Sequence, residues 1–594
     1  MEDVLGPAHD AAYQGNDDSL RGLALANLMA VDAEGKTPAH IAALHGHESC
    51  LHALHELGAA ASLSAADAEG KTPAHLAAKL GNESCLRALH ELGSAASLSA
   101  ADAEGKTPAH IAAILGRERC LQVLHELGAA ASLSAVDAKG WTPAIWAALQ
   151  GHESCLRALH ELGAAASLSA ADAEGRTPAI WAALQGHESC LRALHELGAA
   201  ASLSAADAGG KTPAHFAAKL GRESCLHALH ELGAAASLSA VDAEGMTPAI
   251  WAALQGHVRC LHALHELGAA ASLSAADAEG KTPAIWAALK GHESCLHALH
   301  VLGAVASLPA ANAEGKTPAH IAALHGRESC LHALHELGAA ASLSAADAEG
   351  KTPAYYAVML GNESCLRALH KLGAAASLSA ADAGGIKPAH IAAMLGHGSC
   401  LHALHELGAA ASLSAVDAKG WTPAIWAAMH GRESCLRVLH ELGGAASLSA
   451  ADANGLTPAH EAAIYGHEIC LHTLHELGAA ASLSAADAKG WTPAIWAAMR
   501  GHVRCLHALR ELGAAASLLT ADADGRMPAH IAAIHGHERC LHALHELGSA
   551  ASLVALDADG ATPLHAAAMK MPPDHANSER NYVRCIRFLL QAGA

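Results

Sequence analysis

The chain has 594 residues and a formal net charge of −21, from 37 Lys and Arg against 58 Asp and Glu. This negative charge argues against general binding to nucleic acid, because contacts with the phosphate backbone need clustered positive charge. The sequence has neither the basic start and apolar core of a signal peptide nor an apolar run long enough to span a membrane. These features predict a soluble intracellular protein of the cytoplasm, with the nucleus as the alternative, and no membrane insertion.

A unit of 35 residues organises the sequence. It begins at Asp32 and returns at Asp67, Asp102 and every following 35th position to Asp557, with Asn312 replacing one Asp. A fixed period of this size indicates a stack of repeats in which each unit contacts mainly its neighbours. Length alone would suggest about four domains, but the period predicts one continuous array.

Residues 1–31 are predicted to form a partial N-terminal capping repeat. Residues 7–12 align with the start of the next unit at Pro38, and this first segment is more polar than the internal units. A terminal repeat needs a polar outer side because that side faces water. Fifteen internal repeats are predicted to follow over residues 32–556.

The first internal repeat shows the predicted turn and first helix. Asp32 and Gly35 suit a type I turn. Thr37 can cap the exposed amides of a helix, and Pro38 at the first helical position loses no hydrogen bond. The first helix is therefore expected to begin at Pro38 and to stop at Gly46.

The second helix is predicted over residues 48–57, where Cys and Leu recur at helical spacing. Gly58 can take the left-handed conformation that ends a helix. Residues 59–66 are then expected to return to the next turn as a loop.

Residues 557–594 are predicted to form a C-terminal capping repeat with an inserted loop. The insertion is expected at residues 571–580, between the two helices of this repeat, where adjacent prolines oppose a continuous helix.

One Cys occurs at the same position in 15 consecutive units, from Cys50 to Cys540, and Cys585 is displaced by the C-terminal insertion. A disulfide needs Cα atoms within about 7 Å, whereas equivalent positions in stacked helices lie roughly 8–10 Å apart. We therefore expect reduced core thiols in a reducing compartment.

The repeated pattern Asp-x-x-Gly-x-Thr-Pro-x-His-x-Ala-Ala-x-x-Gly-His resembles the ankyrin repeat over essentially the whole chain. The final unit is most similar to the family pattern, at residues 562–568 and 588–594. The internal units are two residues longer than the usual 33, and Ala39 stands where the family prefers Leu. The resemblance implies an all-α ankyrin-repeat solenoid, in which helix-turn-helix repeats joined by turn or hairpin loops form a single elongated curved array.

Side chains vary among the near-identical repeats in three places. The turn tip carries Lys36 or Trp141 at matched positions, the first helix carries Ile41 or Trp146, and the end of that helix carries His45 and its counterparts. The resemblance implies that these are the positions through which ankyrin arrays hold partner proteins.

Aromatic residues are prominent at these variable positions, and Trp is enriched in interface hot spots. The predicted partner-binding residues are seven at one first-helix position and three exposed ones at turn tips: Trp146, Trp181, Phe216, Trp251, Trp286, Trp426 and Trp496, and Trp141, Trp421 and Trp491. For the first-helix residues the alternative is packing between adjacent helices, whereas the turn-tip residues favour binding.

The 47 histidines do not indicate a metal site or a cofactor. Cys50, His52 and His55 are close in sequence, but at about 100° per residue their side chains do not converge as a zinc site requires. No Ser, Cys or carboxylate recurs as a paired nucleophile or acid beside a histidine, which argues against catalysis.

Two histidine positions recur in the helices. His55 and its counterparts occupy 14 of the 15 internal second helices, at the position that Leu590 fills in the last repeat. This exchange predicts a partly buried imidazole with a lowered pKa, and hence a loss of stability in acid. For His40 and its counterparts, the resemblance implies a hydrogen bond between neighbouring turns.

These observations predict a non-enzymatic interaction scaffold that binds one or more partner proteins through its turn tips and first helices, without nucleic acid. The alternative is a purely structural or elastic repeat array without a dedicated site.

Overall fold

The computed structural model of the protein describes residues 6–570 and 576–593. These residues form helices joined by turns, with no strand among them, and they divide into two compact units, Met1–Ser307 and Leu308–Ala594. In each unit the first helices of successive repeats pack on one another, and so do the second helices. The prediction of an all-α repeat solenoid is confirmed.

The first internal repeat has the predicted helices at Pro38–His45 and Glu48–Glu56. Thr37 precedes the first helix with extended backbone, and Gly46 ends it at φ 82°, in the left-handed region that glycine adopts without strain. The return segment, predicted as a loop, contains a short 3₁₀ helix at Ala60–Leu63. There Ser62 Oγ donates to the Ala59 carbonyl at 2.7 Å, and Leu63 is fully buried.

The other first helices all begin at the proline of the repeated Thr-Pro motif or its variants. In the first unit they are Pro73–Leu80, Pro108–Ile114, Pro143–Gln150, Pro178–Gln185, Pro213–Lys219, Pro248–Gln255 and Pro283–Lys290. In the second unit they are Pro318–Leu324, Pro353–Met359, Pro388–Leu395, Pro423–Met429, Pro458–Tyr465, Pro493–Arg500, Pro528–Ile534 and Pro563–Lys570.

In the internal repeats, two or three residues separate the second helix from the first. In the first unit they are Glu83–Glu91, Glu118–Glu126, Glu153–Glu161, Glu188–Glu196, Glu223–Glu231, Val258–Glu266 and Glu293–Val301. In the second unit they are Glu328–Glu336, Glu363–Lys371, Gly398–Leu404 with a π turn at His405–Ala409, Glu433–Glu441, Glu468–Glu476, Val503–Glu511, Glu538–Glu546 and Ala576–Gln591.

A 3₁₀ helix follows each of the other internal second helices. These are Ala95–Leu98, Ala130–Leu133, Ala165–Leu168, Ala200–Leu203, Ala235–Ser239, Ala270–Leu273 and Val305–Ser307 in the first unit, and Ala340–Leu343, Ala375–Leu378, Ala410–Leu413, Ala445–Leu448, Ala480–Leu483, Ala515–Leu518 and Ala550–Leu553 in the second.

The two ends of the chain differ from this pattern. The N-terminal segment forms helices Pro7–Gln14, Asp17–Arg21 and Leu25–Leu28. At the C-terminal end a helix begins at Ala576, so the last five residues of the predicted inserted loop are helical. The first five, residues 571–575, lie outside the described residues.

The core consists of small side chains on the first helices and larger ones on the second. Ala42 and Ala43 are fully buried and let neighbouring first helices approach closely, while Cys50, Leu51 and Leu54 fill the space behind them. All sixteen thiols are free and buried. Burial raises the pKa of the Cys50 thiol to about 11 and that of most of the others to about 12, which makes them unreactive.

In eight internal repeats, the histidine at the His40 position joins the repeat to the next turn. His40 Nδ1 accepts a hydrogen bond from the Thr37 backbone N–H at 3.0 Å, so its proton is on Nε2, which donates to the Lys71 carbonyl of the next repeat at 2.9 Å. Burial lowers the pKa of this imidazole, because the charged form would lose its hydration. The same arrangement and direction hold at His75, His110, His215, His320, His390, His460 and His530.

A second set of histidines binds backward, to the end of the preceding first helix, which the sequence analysis did not predict. His152 Nε2 is 3.1 Å from the carbonyl of Ile114, the last residue of that helix. Asn replaces the histidine in two repeats, and the Asn82 amide donates to the carbonyls of Ala43 and Leu44, each at 2.8 Å. Such bonds satisfy carbonyls that a helix leaves unpaired at its C-terminal end.

The His55 position was predicted to be partly buried, and this holds in only half of the repeats. Seven of the fourteen histidines, including His90 and His160, are half-buried, and the other seven, including His55, His125 and His230, are exposed. The second-helix face that carries them is on the surface, and Leu590, which suggested burial, is itself 60 % exposed. The buried histidines with a lowered pKa include those at the His40 position.

Acid is therefore expected to destabilise the protein through the His40 position. Because the folded-state pKa lies below the unfolded value of about 6.5, the unfolded chain takes up protons first, and stability falls as the pH drops below about 6.5. Each histidine contributes at most about 1.4 kcal/mol per pH unit in that window. Thermal unfolding between about pH 8 and pH 5 should show a steady melting temperature above about pH 6.5 and a decline below it.

Two pairs of variants assign this effect to particular histidines. Converting two repeats to the Ile-Trp pair found elsewhere in the chain, with His75→Ile and Leu76→Trp and with His110→Ile and Ile111→Trp, should make the decline shallower. The matched control, His125→Leu with His230→Leu, removes two exposed histidines and should leave it unchanged. A shallower decline in the control alone would contradict the assignment.

Candidate functional site

An aspartate organises each turn and reaches the variable positions with its second oxygen. Asp137 Oδ1 accepts hydrogen bonds from the backbone N–H groups of Lys139 and Trp141, both at 2.9 Å. Its Oδ2 accepts a hydrogen bond from Trp146 Nε1 at 2.9 Å. The first-helix tryptophan therefore holds the turn of its own repeat from the side.

The same indole–carboxylate bond occurs in all six repeats that carry Trp at this position. The Nε1–Oδ2 distances lie between 2.9 and 3.2 Å for Trp146 with Asp137, Trp181 with Asp172, Trp251 with Asp242, Trp286 with Asp277, Trp426 with Asp417 and Trp496 with Asp487. A hydrogen bond to a charged acceptor is stronger than one between neutral groups. These indoles therefore have a defined structural task.

Most internal repeats hold a turn either with a histidine or with a tryptophan at the next position of the first helix, and none with both. Wherever Trp occupies the first-helix position, Ile replaces the preceding histidine, as in Ile145-Trp146. Such a repeat lacks the imidazole that would donate to the next turn and gains an indole that binds its own turn. A third version, Tyr355-Tyr356, places the Tyr356 hydroxyl 2.7 Å from Asp347 Oδ2.

The turn tips cover the faces of these indoles. The Arg176 guanidinium lies 4.4 Å from the ring centre of Trp181, and Lys281 Nζ lies 4.9 Å from that of Trp286. A cation at such distances is attracted by the negative face of the ring. The tip and the first-helix residue of a repeat therefore form one packed unit.

The tryptophans at turn tips replace these cations. Trp141 lies between Trp146 and Trp181. Its ring centre is 4.7 Å from that of Trp146 and 4.6 Å from that of Trp181. Trp421 Nε1 donates to Asp452 Oδ2 in the next turn at 3.0 Å, and Trp491 makes the equivalent bond at 3.1 Å. All three were predicted to be exposed. They are half-buried instead, because each packs on the first-helix indole beside it.

The predicted partner-binding residues thus lie on one face in each unit, but most of their contacts are internal. Trp181 is buried at 8 % exposure, and the other six first-helix residues, including Phe216, are half-buried. The structure brings Trp141, Trp146 and Trp181 into one cluster in the first unit. In the second unit it pairs Trp421 with Trp426 and Trp491 with Trp496. These contacts support packing as one role of the aromatic residues.

The ends of the first helices are more accessible than the aromatic residues. Tyr465 is 51 % exposed, and His45, Gln150, Lys290 and Arg500 at matched positions are also exposed. Their side chains differ in charge, size and hydrogen-bonding capacity, while the backbone that carries them repeats. The exposed and varied part of the face is therefore this helix-end position.

Glu461 is a feature of this face that was not predicted from the sequence. It occupies the first-helix position of Trp146 and is 4 % exposed. Burial raises the pKa of its carboxyl to about 7, and the nearby Asp452 carboxylate acts in the same direction. The sequence signal was an acidic residue at a position that is otherwise apolar or aromatic in the internal repeats.

Within residues 6–570 and 576–593, no group of three or more His, Cys, Asp or Glu side chains is arranged to hold a metal ion. In the same ranges no helix combines the length and the apolar character needed to cross a bilayer.

Comparison with protein families shows what the chain is similar to. A model of ankyrin repeats in three copies matches residues 8–97, 92–169 and 300–382. A model of ankyrin repeats in many copies matches seven segments, 144–195, 179–230, 214–265, 389–440, 424–475, 459–510 and 495–545, and a single-repeat model matches 559–594. A search of curated proteins found no match.

The indole–carboxylate bond is expected to contribute measurable stability. In a double-mutant cycle on Trp251→Phe and Asp242→Asn, the two residues should couple by about 1–3 kcal/mol, as expected for a hydrogen bond to a charged group. Asn is a suitable replacement, because Asn312 Oδ1 accepts the same two backbone bonds in its own turn, at 3.1 and 2.9 Å. Additive effects on the free energy of unfolding would contradict this role.

Glu461→Gln is expected to stabilise the protein at alkaline but not at acid pH. The folded-state pKa of about 7 lies above the ordinary 4.5, so the contribution of Glu461 to stability is complete below about pH 4.5 and is lost as the pH rises to about 7. Above that pH the charged carboxyl costs on the order of 3 kcal/mol, which Gln avoids. Denaturant unfolding at about pH 8 and pH 5 measures the difference, and exposed Glu441→Gln is the control. An equal effect at both pH values would contradict the burial of the charge.

Proposed function

Because the chain belongs to the ankyrin repeat family, we propose that it is a non-enzymatic scaffold that holds one or more partner proteins on its turn tips and first helices. Ankyrin repeats are generally protein–protein interaction modules. The proposed scaffold needs no cofactor and acts inside the cell, and its net charge of −21 does not suit nucleic acid as a partner.

The observation that carries this proposal is the wide variation of side chains at the ends of the first helices, where six residue types occur among the internal repeats. The turn aspartates, the buried Ala pair and the Cys and Leu of the second helix recur in nearly every internal repeat, whereas the helix ends change from His45 to Gln150, Lys290, Tyr465 and Arg500. These variable side chains are exposed. A constant framework that presents a different set of groups in each repeat is suited to the recognition of an extended partner.

We assign the ten aromatic residues two tasks on this face. The hydrogen bonds and ring contacts of the nine tryptophans fix the turn tips, which pre-orders the surface before a partner arrives and lowers the entropic cost of binding. Their remaining accessible surface is proposed to contact the partner beside the exposed helix ends. The alternative function, a purely structural array, would need the first task alone.

Site-specific cross-linking on the full-length chain tests the proposal. A photoreactive amino acid in place of Lys290 or Tyr465 samples the proposed face, and the same amino acid in place of Arg259 or Arg504 samples the second helices. All four residues are exposed. After irradiation in a cell extract, the proposed face should give discrete cross-linked partners that the second-helix positions do not give.

Two results would overturn this assignment. Equal cross-linking from both sets of positions would show that the partner does not distinguish the faces. The absence of any discrete product from either set would favour the purely structural array.

A further inference from the structure

Glu461 differs from every matched residue of the internal repeats. At this first-helix position the other fourteen internal repeats carry Ile, Leu, Phe, Trp or Tyr. The residues directly before and after it in the stack are Trp426 and Trp496, on the neighbouring first helices Pro423–Met429 and Pro493–Arg500. Both of these helices pack against Pro458–Tyr465, which carries Glu461.

The Glu461 carboxyl has no partner within the described part of the chain. Only 4 % of Glu461 is exposed, yet no hydrogen bond or ion pair to a described residue reaches its carboxyl. The neighbouring indoles are already engaged, because Trp426 donates to Asp417 and Trp496 donates to Asp487. Burial of a carboxyl without a partner is costly, so its presence calls for a compensating group.

The cations of the neighbouring turns lie against other rings: Lys419 Nζ is 4.7 Å from the ring centre of Trp421, and Lys489 Nζ is 6.0 Å from that of Trp491. Most turn tips carry Lys or Arg, but four successive tips carry Ile386, Trp421, Leu456 and Trp491. His430 and Arg500 stand at the ends of the neighbouring first helices, and His460 precedes Glu461 on its own helix, with its Nε2 held by the Trp491 carbonyl at 3.0 Å. Among the described residues, the charge that acts on Glu461 is that of Asp452, which is also negative.

The arrangement selects a cationic ligand rather than a metal ion. Asp452 cannot serve as a second metal ligand without losing its turn, because Oδ1 accepts from the backbone N–H groups of Asn454 and Leu456 at 2.8 Å and Oδ2 accepts from Trp421. A single free carboxylate flanked by larger indoles suits an ammonium or guanidinium group, which gains an ion pair and contact with ring faces.

We propose that Glu461, between Trp426 and Trp496, is the subsite that receives a lysine or arginine side chain of the partner protein. This inference rests on the proposed function, since it assigns a chemical class to one contact on the same face. The occupant is a basic side chain because it supplies the positive charge that no described residue pairs with Glu461.

Selection of binders from a random peptide library on the full-length chain tests the inference. Peptides selected on the wild-type protein should share a Lys or Arg at one fixed position. Their affinity should fall at least tenfold with Glu461→Gln, whereas the exposed control Glu441→Gln should retain it. Replacing the shared basic residue with Met should cause the same loss, with no further loss when Glu461→Gln is added.

Each outcome separates this inference from the proposed function. Peptides that lose affinity when Tyr465 is changed to Ala but bind wild type and Glu461→Gln equally would overturn the inference and leave the face in place. Peptides that are insensitive to both changes would place binding elsewhere and count against both. Wild type should bind these peptides more tightly at about pH 8 than at about pH 6, because its carboxyl ionises in that range. Since Gln cannot ionise, the Glu461→Gln variant should lack this increase.

Discussion

A helix of seven or eight residues is not stable alone in water, because the cost of its first turn is not recovered over so short a length. Every first helix between Pro38 and Lys570 has this length. Each repeat therefore depends on its neighbours, through the buried Ala, Cys and Leu side chains and through polar side chains that bind backbone groups of the adjacent repeat. The histidine that donates to the next turn, and the histidine or asparagine that binds the preceding helix end, connect the repeats in both directions.

The turn beside each first helix is held in one of two main ways. An imidazole such as His110 binds its own Thr107 and the following turn, or an indole such as Trp146 binds its own turn aspartate. The first loses its geometry when it is protonated, because Nδ1 must accept a hydrogen bond, while the second does not titrate near neutral pH. The proposed binding face is thus built from residues that also determine local stability.

Much of this fold follows from the sequence, since turn, cap and breaker residues recur at fixed spacing. Proline at the first helical position and glycine at the helix ends predicted the helices to within about a residue or two. The side-chain networks were harder to predict. The burial of the His55 position was inferred from one Leu in the last repeat, but that Leu is itself exposed. The Trp–Asp bond joins residues nine positions apart, which meet only when the turn folds over the helix. The exchange of His for Ile wherever Trp follows was the available signal for this bond.

Hydrogen exchange on the wild-type protein tests the central claim most directly, because both kinds of turn occur in the first unit. The turns at residues 67–71, 102–106 and 242–246 receive a histidine from the preceding repeat, and those at 172–176, 207–211 and 277–281 follow an Ile-Trp repeat. After correction for intrinsic rates, lowering the pH from about 7 to about 5.5 should reduce amide protection in the first group and spare the second. An equal loss of protection in both groups would contradict the account.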